Sequence, residues 1–535
     1  MKKPRLAAVI PAVAGGLLAG MTPALATPAA VSLNTTNIPD RYAGQSMIWH
    51  ACAKDELADL PPETDIEGLE CATFRTPRDW ERPDGRRDLS IAVSRLQSTG
   101  ATTASVLTNP GGPGGPGRSL PASLRGQSRL RAHQEIIGID TRGTGRSTNV
   151  TCGGAAGGNG AELDPLDRSP RNLNLIVDSV RYAAAACRQA AGDLGPLITT
   201  FQNVRDLDLL RVLLGREKIN WIGYSAGTWL GAHYAQQFPQ RTGRFVLDSS
   251  TEFTGTWQNS FDSQPFAVER RWRQDFLPWM ARYDAKYHFG SSGEEVLQAY
   301  EKVRSALGSG PVDLDGAQVG PVALDNYIVG ALKSKKQFPA VADSLVRART
   351  LTDGRASAQA KVDARAALKA TLSKSRSSGP PQVPATAASA SDAMAATLVT
   401  TLCGEGVWTG DRHSLIRRSQ EYIDRGVTLY SSIWMPFQLC AFWRNQPRPL
   451  PVMNGEGVPP VLIVQSENDP ATPVEGARRA HAAFRNSRML TVTGEGDHGI
   501  YAGDNKAVNK VVDDYLVDGV VPQDQNLPGL PLPTP

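Results

Sequence analysis

The chain has 535 residues, enough for one large domain with an insertion or for two or three compact domains. Hydrophobic residues make up 41% and charged residues 21%, as is ordinary for a globular protein in water. Because 57 basic residues are balanced by 53 acidic ones, the net charge of +4 argues against binding to nucleic acid or to anionic membranes.

The first 26 residues have the pattern of a secretory signal peptide. A basic start is followed by an apolar stretch over 6–21, and Ala-Leu-Ala at 24–26 is typical of a cleavage site. An uncleaved membrane anchor is the alternative, but the apolar stretch is short and Pro11 interrupts it. We therefore expect a cleaved, extracellular protein with no membrane partner, in which 27–39 is a short pro-segment or a flexible start.

Export would place the six cysteines in an oxidising compartment, where an even number predicts disulfides. We expect each cysteine to pair with its nearest neighbour in sequence. Since no such pair has the spacing of a zinc knuckle and the seven histidines are scattered, we expect no metal site and no cofactor. The expected pairs are Cys52 with Cys71, Cys152 with Cys187, and Cys403 with Cys440.

Short aliphatic and β-branched runs recur along the chain, and several lead directly into Gly-rich turns. Such runs are typical of strands buried on both faces of a parallel sheet. Between them, Asn203–Leu214 has apolar residues at helical spacing and ends before Gly215. The alternation predicts an α/β fold, a mostly parallel sheet flanked by helices. The predicted strands are Leu89–Leu96, Ser105–Asn109, Glu135–Asp140, Lys218–Gly223, Arg244–Asp248, Val461–Gln465 and Met489–Thr493.

The strand pattern is interrupted in the middle of the chain, where the sequence becomes helical and polar with an aromatic-rich start. We interpret 40–250 and 451–520 as two parts of one core, separated by a helical lid over 251–450. A separate domain unrelated to the active site is the alternative for this insertion. Its low-complexity stretch Ser373–Asp392 predicts an exposed loop, and 521–535 predicts a flexible Pro-rich tail.

The pentapeptide Gly-Tyr-Ser-Ala-Gly at 223–227 predicts a nucleophile elbow. The G-x-S-x-G pattern alone is weak, because it arises by chance in a chain with 51 glycines. Here an apolar run enters the motif and a helical pattern leaves it, as a sharp strand-to-helix turn requires. We therefore expect Ser225 to be a nucleophile; an incidental serine in a Gly-rich turn is the alternative.

A glycine- and proline-rich loop at 109–117 follows a predicted strand and precedes the elbow. In α/β-hydrolases such a loop supplies one N–H of the oxyanion hole, and the residue after the nucleophile supplies the other. We assign these roles to Gly112 and Ala226. A phosphate-binding loop is the competing idea, but no Lys-Ser/Thr pair follows and the prolines remove N–H groups.

An acid and a histidine follow the last two predicted strands. Side chains just beyond the carboxyl ends of parallel strands share one crevice, so Ser225, Asp469 and His498 are predicted to converge. They follow one another in the chain order of an α/β-hydrolase fold. The competing positions are Asp497 and Glu467 for the acid, and His413 and His481, both in helical patterns, for the base.

Several motifs along the chain match one known family. They are Asn-Pro-Gly-Gly-Pro-Gly-Gly at 109–115, Gly-Ile-Asp-Thr-Arg-Gly-Thr-Gly-Arg-Ser at 138–147, Gly-Tyr-Ser-Ala-Gly at 223–227, Val-Leu-Ile-Val-Gln-Ser-Glu-Asn-Asp at 461–469 and Asp-His-Gly at 497–499. Together they resemble the secreted tripeptidyl aminopeptidases of actinomycetes, relatives of proline iminopeptidase with a characteristic C-terminal region. The resemblance extends from about Trp49 to Leu516. It implies removal of tripeptides from free N-termini, with the catalytic residues at Ser225, Asp469 and His498.

The sequence departs from that family at two positions. Ala226 stands where the tripeptidyl members have Tyr, which leaves its backbone N–H unchanged but alters the nearby pocket. Leu402 stands where related sequences can have an acid, so the resemblance does not identify the carboxylate that binds the substrate ammonium. Our candidates for that carboxylate, in order, are Glu405, Glu252 and Asp262.

The sequence thus predicts a monomeric, secreted serine exopeptidase that acts on peptides with free N-termini through an acyl-enzyme. A carboxylesterase, a lipase or a proline iminopeptidase can use the same three residues. A binding protein on a hydrolase scaffold is the alternative without catalysis, and such proteins usually lack one of the three.

Overall fold

The computed structural model describes residues 38–57, 60, 64–155, 163–314, 317–377, 392–429, 434–435, 437–444 and 446–535. The predicted signal peptide, nearly all of 27–39 and most of the low-complexity stretch lie outside the described residues. Among the described helices, none combines the length and the apolar character needed to cross a bilayer.

A sheet of ten strands organises the described part of the chain, in the order β1-β2-β3-β5-β4-β6-β7-β10-β11-β12. Strands β1, β2, β3 and β5 pair antiparallel, and every pairing from β5 to β12 is parallel. Strands β8 and β9 form a separate two-stranded sheet. The bounds are β1 His50–Ala51, β2 Leu69–Thr76, β3 Leu89–Leu96, β4 Ala104–Asn109, β5 Gln134–Ile139, β6 Ile219–Tyr224, β7 Thr242–Asp248, β8 Val312–Leu314, β9 Ala317–Val319, β10 Val461–Ser466, β11 Ser487–Thr493 and β12 Gln525–Pro528.

Both faces of this sheet are buried, which explains the continuous apolar runs. In β10, Val461 and Ile463 pack into one apolar cluster, whereas Leu462 and Val464 pack into another on the opposite face. Because successive side chains of a strand point to opposite faces, each must be apolar when helices cover both. The predicted α/β-hydrolase fold is confirmed, and each predicted strand overlaps one observed strand.

Helices that flank the sheet alternate with its strands, as a parallel sheet requires. The predicted helix at Asn203–Leu214 extends over Thr200–Leu213, and the Thr199 hydroxyl accepts a hydrogen bond from its first turn. The flanking helices are Asp40–Ala43, Leu120–Ser123, Ser128–His133, Pro170–Ala191, Thr200–Leu213, Ala226–Gln237, Val474–Ala483 and Lys506–Asp513.

Most of the residues between β7 and β10 form what we call the cap segment (251–450), which packs around an apolar core shared with Leu173, Ile176 and Val177 of the helix Pro170–Ala191. The aromatic-rich start supplies much of it, including the buried side chains Trp272, Phe276 and Trp279. Helices and a short π-helical turn at Arg271–Phe276 surround this core. The described helices of the cap segment are Trp257–Arg270, Leu277–Arg282, Asp284–Tyr287, Gly293–Ser309, Pro321–Ala331, Phe338–Thr352, Ala358–Ser377, Ala393–Gly404 and Arg412–Asp424.

The interpretation of 521–535 as a flexible tail is wrong. Residues Gln525–Pro528 form β12, which pairs in parallel with β11 at the edge of the sheet. Farther along, the carbonyl oxygen of Pro533 accepts a hydrogen bond of 2.6 Å from the Trp279 indole N–H. An edge strand tolerates proline because one of its sides makes no ladder hydrogen bonds. The Pro-rich composition therefore did not exclude a strand at this position.

The six cysteines form three disulfides, each between nearest neighbours in sequence. One of them, Cys403–Cys440, closes a loop within the cap segment. The other two are Cys52–Cys71 and Cys152–Cys187.

Candidate active site

Ser225 occupies a strained turn between β6 and the helix that follows it. Its φ of 54° lies in the left-handed region, which residues other than glycine seldom adopt. The backbone N–H of Ser225 donates a 3.0 Å hydrogen bond to the carbonyl oxygen of Asp248, which holds the turn against β7. A Cβ on Gly227 would lie 2.6 Å from the Asn109 carbonyl oxygen, and one on Gly223 would overlap the Gly227 carbonyl. The turn therefore requires glycine two positions before and two positions after the serine.

Asp469 and His498 are hydrogen-bonded to each other. Nδ1 of His498 lies 2.9 Å from Oδ2 and 3.1 Å from Oδ1 of the fully buried Asp469. Burial by itself would raise the pKa of Asp469, but His498 and the N–H groups of Ala471 and Thr472 hold that pKa below its ordinary value. A carboxylate only accepts, so the proton of the neutral imidazole lies on Nδ1 and Nε2 remains free as a base.

The backbone after His498 is held by groups at the end of β7. The Asp248 carboxylate accepts N–H hydrogen bonds from Ile500 at 3.0 Å and Tyr501 at 2.6 Å, and the neighbouring Ser249 hydroxyl accepts one from Gly499 at 2.7 Å. Burial raises the pKa of the Asp248 carboxyl to about 6. Sequence reasoning missed this residue, although its position at the end of a predicted strand was a usable signal.

The backbone of His498 is also attached to the cap segment. Its N–H donates a 2.8 Å hydrogen bond to the carbonyl oxygen of Lys333. Next to it, the carboxylate of Asp497 accepts from the Lys335 N–H at 2.6 Å and from Arg271 at 2.8 Å. Asp497, a competing position for the acid, therefore binds the cap segment.

Two other competing positions, Glu467 and His481, have partners of their own. Glu467 accepts a 2.9 Å hydrogen bond from the N–H of Gly494. His481 contacts the Ser487 hydroxyl at 2.8 Å and the Asp524 carboxylate at 3.1 Å.

The glycine-rich loop lies directly against the elbow. A Cβ on Gly111 would lie 2.9 Å from the Cβ of Ser225, so only glycine permits this approach. Gly112, with a φ of 113°, and Ala226 line the same cavity as Ser225. Within the described part of the chain, no group accepts a hydrogen bond from the N–H of Gly112 or of Ala226. Both N–H groups therefore remain available to an oxyanion.

The motif at 138–147 supports the far end of this loop. Asp140 is buried, and its carboxylate accepts hydrogen bonds from the N–H of Gly117 at 2.8 Å and of Arg118 at 3.1 Å. Arg142, also buried, donates two 2.7 Å hydrogen bonds to the carboxylate of Asp206. Asp140 therefore holds the far end of the glycine-rich loop, whereas Arg142 attaches the motif to the helix Thr200–Leu213.

A cavity of about 490 Å³ lies between the carboxyl edge of the sheet and the cap segment. Ser225 and His498 line it from the core, and Phe261, Val329 and Phe437 are among the lining residues of the cap segment. A volume in the range of about 300–1,000 Å³ is typical of sites that enclose a small ligand.

Of the three proposed ammonium anchors, Glu252 lines this cavity, where it forms hydrogen bonds of 2.6 and 2.9 Å with Arg479. Glu405 is only 3% exposed and lies behind Trp257, whose indole N–H donates to it at 3.0 Å. It borders a different cavity, so the structure does not bring Glu405 to the cavity that Ser225 lines. Asp262 binds Arg418 at 2.6 Å and is not among the described residues that line the cavity around Ser225 and His498, which we call the catalytic cavity.

Comparison with known proteins adds to this geometry. A family model described as alpha/beta hydrolase fold matches residues 105–305, and one described as TAP-like protein matches residues 427–527. The tripeptidyl aminopeptidase of Streptomyces lividans is 32% identical over 497 residues, which cover 90% of this chain and 86% of that relative. The chain belongs to the tripeptidyl aminopeptidase family.

Two further relatives are similar in sequence to this chain. Serine protease Hip1 of Mycobacterium tuberculosis strain H37Rv is 26% identical over 511 residues, which cover 90% of each chain. Carboxylesterase B of that strain is 30% identical over 208 residues, 37% of this chain and 39% of the relative. As a member of the tripeptidyl aminopeptidase family, this chain is a serine hydrolase and a serine peptidase.

Proposed function

We propose that this enzyme releases tripeptides from the free N-termini of peptides and acts outside the cytoplasm. The observation that carries the proposal is the hydrogen bond between Asp469 and His498, whose imidazole faces the cavity that Ser225 also lines. Membership of the tripeptidyl aminopeptidase family supports the length of the released fragment.

In the proposed mechanism, His498 removes the proton of Ser225 as the serine oxygen attacks the scissile carbonyl carbon. Asp469 holds the imidazole in the reactive tautomer and stabilises its positive charge. The backbone N–H groups of Gly112 and Ala226 donate to the oxyanion that forms on the carbonyl oxygen. His498 then protonates the leaving amine, and water hydrolyses the acyl-enzyme to release the tripeptide.

An exopeptidase must also recognise a free N-terminus. The cap segment supplies much of the wall of the cavity, and we propose that it is the lid that limits entry to a chain end. Glu252 is our proposed anchor for the ammonium. A carboxylate has about four acceptor positions, and Arg479 donates two hydrogen bonds to it, which leaves capacity for an ammonium.

Two features support action outside the cytoplasm. Disulfides persist mainly in oxidising compartments, and this chain has three of them. The signal-peptide pattern of the first 26 residues gives a route for export.

The test is mass spectrometry of the products from a library of unblocked peptides and from the same library after N-acetylation. The expected result is three-residue fragments from the unblocked library alone, and none with the Ser225→Ala variant. Release of single residues would instead indicate a proline iminopeptidase. Hydrolysis of short acyl esters without any peptide cleavage would indicate a carboxylesterase, and either result would overturn the proposal.

A further inference from the structure

Lys333 is a charged residue of the catalytic cavity that the mechanism above does not use. It follows the helix Pro321–Ala331 of the cap segment and lines the cavity together with Ser225 and His498. Glu252 also lines the cavity, but its charge is paired with Arg479. Within the part of the chain that the structure describes, the Lys333 ammonium makes no hydrogen bond and no ion pair.

The protein around Lys333 affects the charge of its ammonium. Its side chain reaches solvent, yet the protein packed around the ammonium replaces part of its hydration, which disfavours the charged form and lowers the pKa of Lys333. The carboxylate of Asp469 acts in the opposite direction, so the ammonium lies within electrostatic reach of the Asp469–His498 pair. A partly desolvated cation with no partner gains free energy when a ligand brings a carboxylate to it.

The position of Lys333 relative to His498 is fixed by several contacts. Its carbonyl oxygen accepts the 2.8 Å hydrogen bond from the His498 N–H. On one side of it, the guanidinium of Arg271 binds the carbonyl oxygen of Leu332 at 3.3 Å. On the other, the Lys335 ammonium pairs with Glu495 at 2.5 Å. These contacts attach the chain around Lys333 to the loop that carries the proposed general base.

The side of the cavity next to His498 receives the leaving group. A general acid must lie within hydrogen-bonding distance of the atom that it protonates, which here is the nitrogen of the leaving amine. Lys333 lines the cavity beside His498, so its ammonium is positioned to reach the part of the peptide that follows the scissile bond.

We propose that Lys333 binds a carboxylate of the leaving peptide, so that the enzyme prefers short peptides whose free C-terminus, or an acidic side chain, lies just beyond the scissile bond. The proposal rests on the proposed peptidase function. Lys333 lines the same cavity of about 490 Å³ as Glu252, our proposed ammonium anchor with remaining acceptor capacity, so each end of a short peptide has a partner there. Lys333 would therefore determine specificity without taking part in bond cleavage.

The experiment compares kcat/KM for substrates that differ only after the scissile bond. They are the free acid Ala-Ala-Pro-Ala, its C-terminal amide, the amide Ala-Ala-Pro-Asp-NH2, and a chromogenic Ala-Ala-Pro anilide that has no carboxylate. The expected wild-type result is a kcat/KM about tenfold higher for the free acid than for its amide, mostly through KM. The Asp-containing amide distinguishes a side-chain carboxylate from the C-terminal one as the preferred ligand.

Variants assign the effect to the ammonium. In Lys333→Met the ratio of acid to amide should fall to about one while hydrolysis of the anilide is retained, and Lys333→Arg should keep the ratio. The matched control is Lys336→Met, since Lys336 is an exposed lysine three positions along that pairs with Asp504 at 2.7 Å. It should leave the ratio unchanged.

Equal rates for acid and amide in the wild-type enzyme, or a preference that survives in Lys333→Met, would overturn the proposal about Lys333. A wild-type enzyme that releases no tripeptide from the anilide would overturn the proposed function instead, so the two failures are distinguishable. Even if Lys333→Met does not fold, equal wild-type rates for acid and amide overturn the proposal, and Lys333→Gln replaces Lys333→Met as the variant without charge.

Discussion

The carboxylate of Asp248 accepts a 2.6 Å hydrogen bond from the backbone N–H of Tyr501, so the end of β7 holds the backbone beyond His498. The same carboxylate accepts the N–H of Ile500 at 3.0 Å. Asp248 thus positions the histidine through its backbone, whereas Asp469 orients the imidazole ring.

Replacement of Asp248 should therefore impair catalysis although this residue acts only through the backbone beyond His498. In Asp248→Ala the N–H groups of Ile500 and Tyr501 lose their acceptor, and a buried unsatisfied N–H costs about 1–3 kcal/mol. We expect a lower Tm and a lower kcat with little change in KM on a tripeptide anilide. Asp248→Asn keeps one acceptor oxygen and should recover most of the activity. A kcat for Asp248→Ala equal to that of the wild type would contradict the positioning role.

The pKa of Asp248 predicts a dependence of stability on pH. Burial raises this pKa from an ordinary 3.8 to about 6, so the folded chain binds the proton more tightly than the unfolded chain. The contribution of Asp248 to stability is then fully present below pH ~4 and is lost as the pH rises to about 6. Urea denaturation between about pH 4 and pH 6 measures the free energy of unfolding of the wild type and of Asp248→Asn. As the pH rises, this free energy should fall more for the wild type than for the variant. Parallel pH curves for the two proteins would show that Asp248 does not titrate in this way.

The elbow should tolerate no side chain at Gly223, two positions before the serine. A Cβ on Gly223 would overlap the carbonyl of Gly227 and the indole of Trp221, and both are buried. We expect Gly223→Ala to yield no folded enzyme or a much lower Tm in a circular dichroism melt. The matched control is Gly126→Ala, because no atom lies within 4 Å of a Cβ at that position. An unchanged Tm for Gly223→Ala would be incompatible with the turn described above.

Glu252 and Glu405 should respond differently to removal of their charge. Because Glu252 lines the cavity, Glu252→Gln should reduce the preference for free over acetylated N-termini, measured as a ratio of kcat/KM. The carboxylate of Glu405 instead accepts hydrogen bonds from the Thr200 hydroxyl at 3.0 Å and the Trp257 indole. Glu405→Gln should therefore lower Tm and leave that preference unchanged. The reverse outcome would restore Glu405 as the ammonium anchor.

Much of the core could be predicted from the sequence because its determinants are local or periodic. A strand buried on both faces must be apolar at successive positions, as β10 is. Such a strand appears in the amino-acid sequence as a continuous apolar run. The turn at 223–227 is likewise local, since its glycines and serine are neighbours in the chain. Asp469 and His498 could be predicted to lie together because parallel strands end at a common edge of the sheet.

Other features depend on segments that are distant in the chain and were decided by tertiary packing. Lys333 lies next to His498 only because the cap segment folds back onto the carboxyl edge of the sheet. The chain position of Glu405 does not reveal on which side of Trp257 its carboxylate packs. The Pro-rich C-terminal residues became β12 because β11 leaves an edge with unpaired backbone groups. Composition and periodicity report the burial of a residue, whereas its partners follow only from the approach of chain segments in three dimensions.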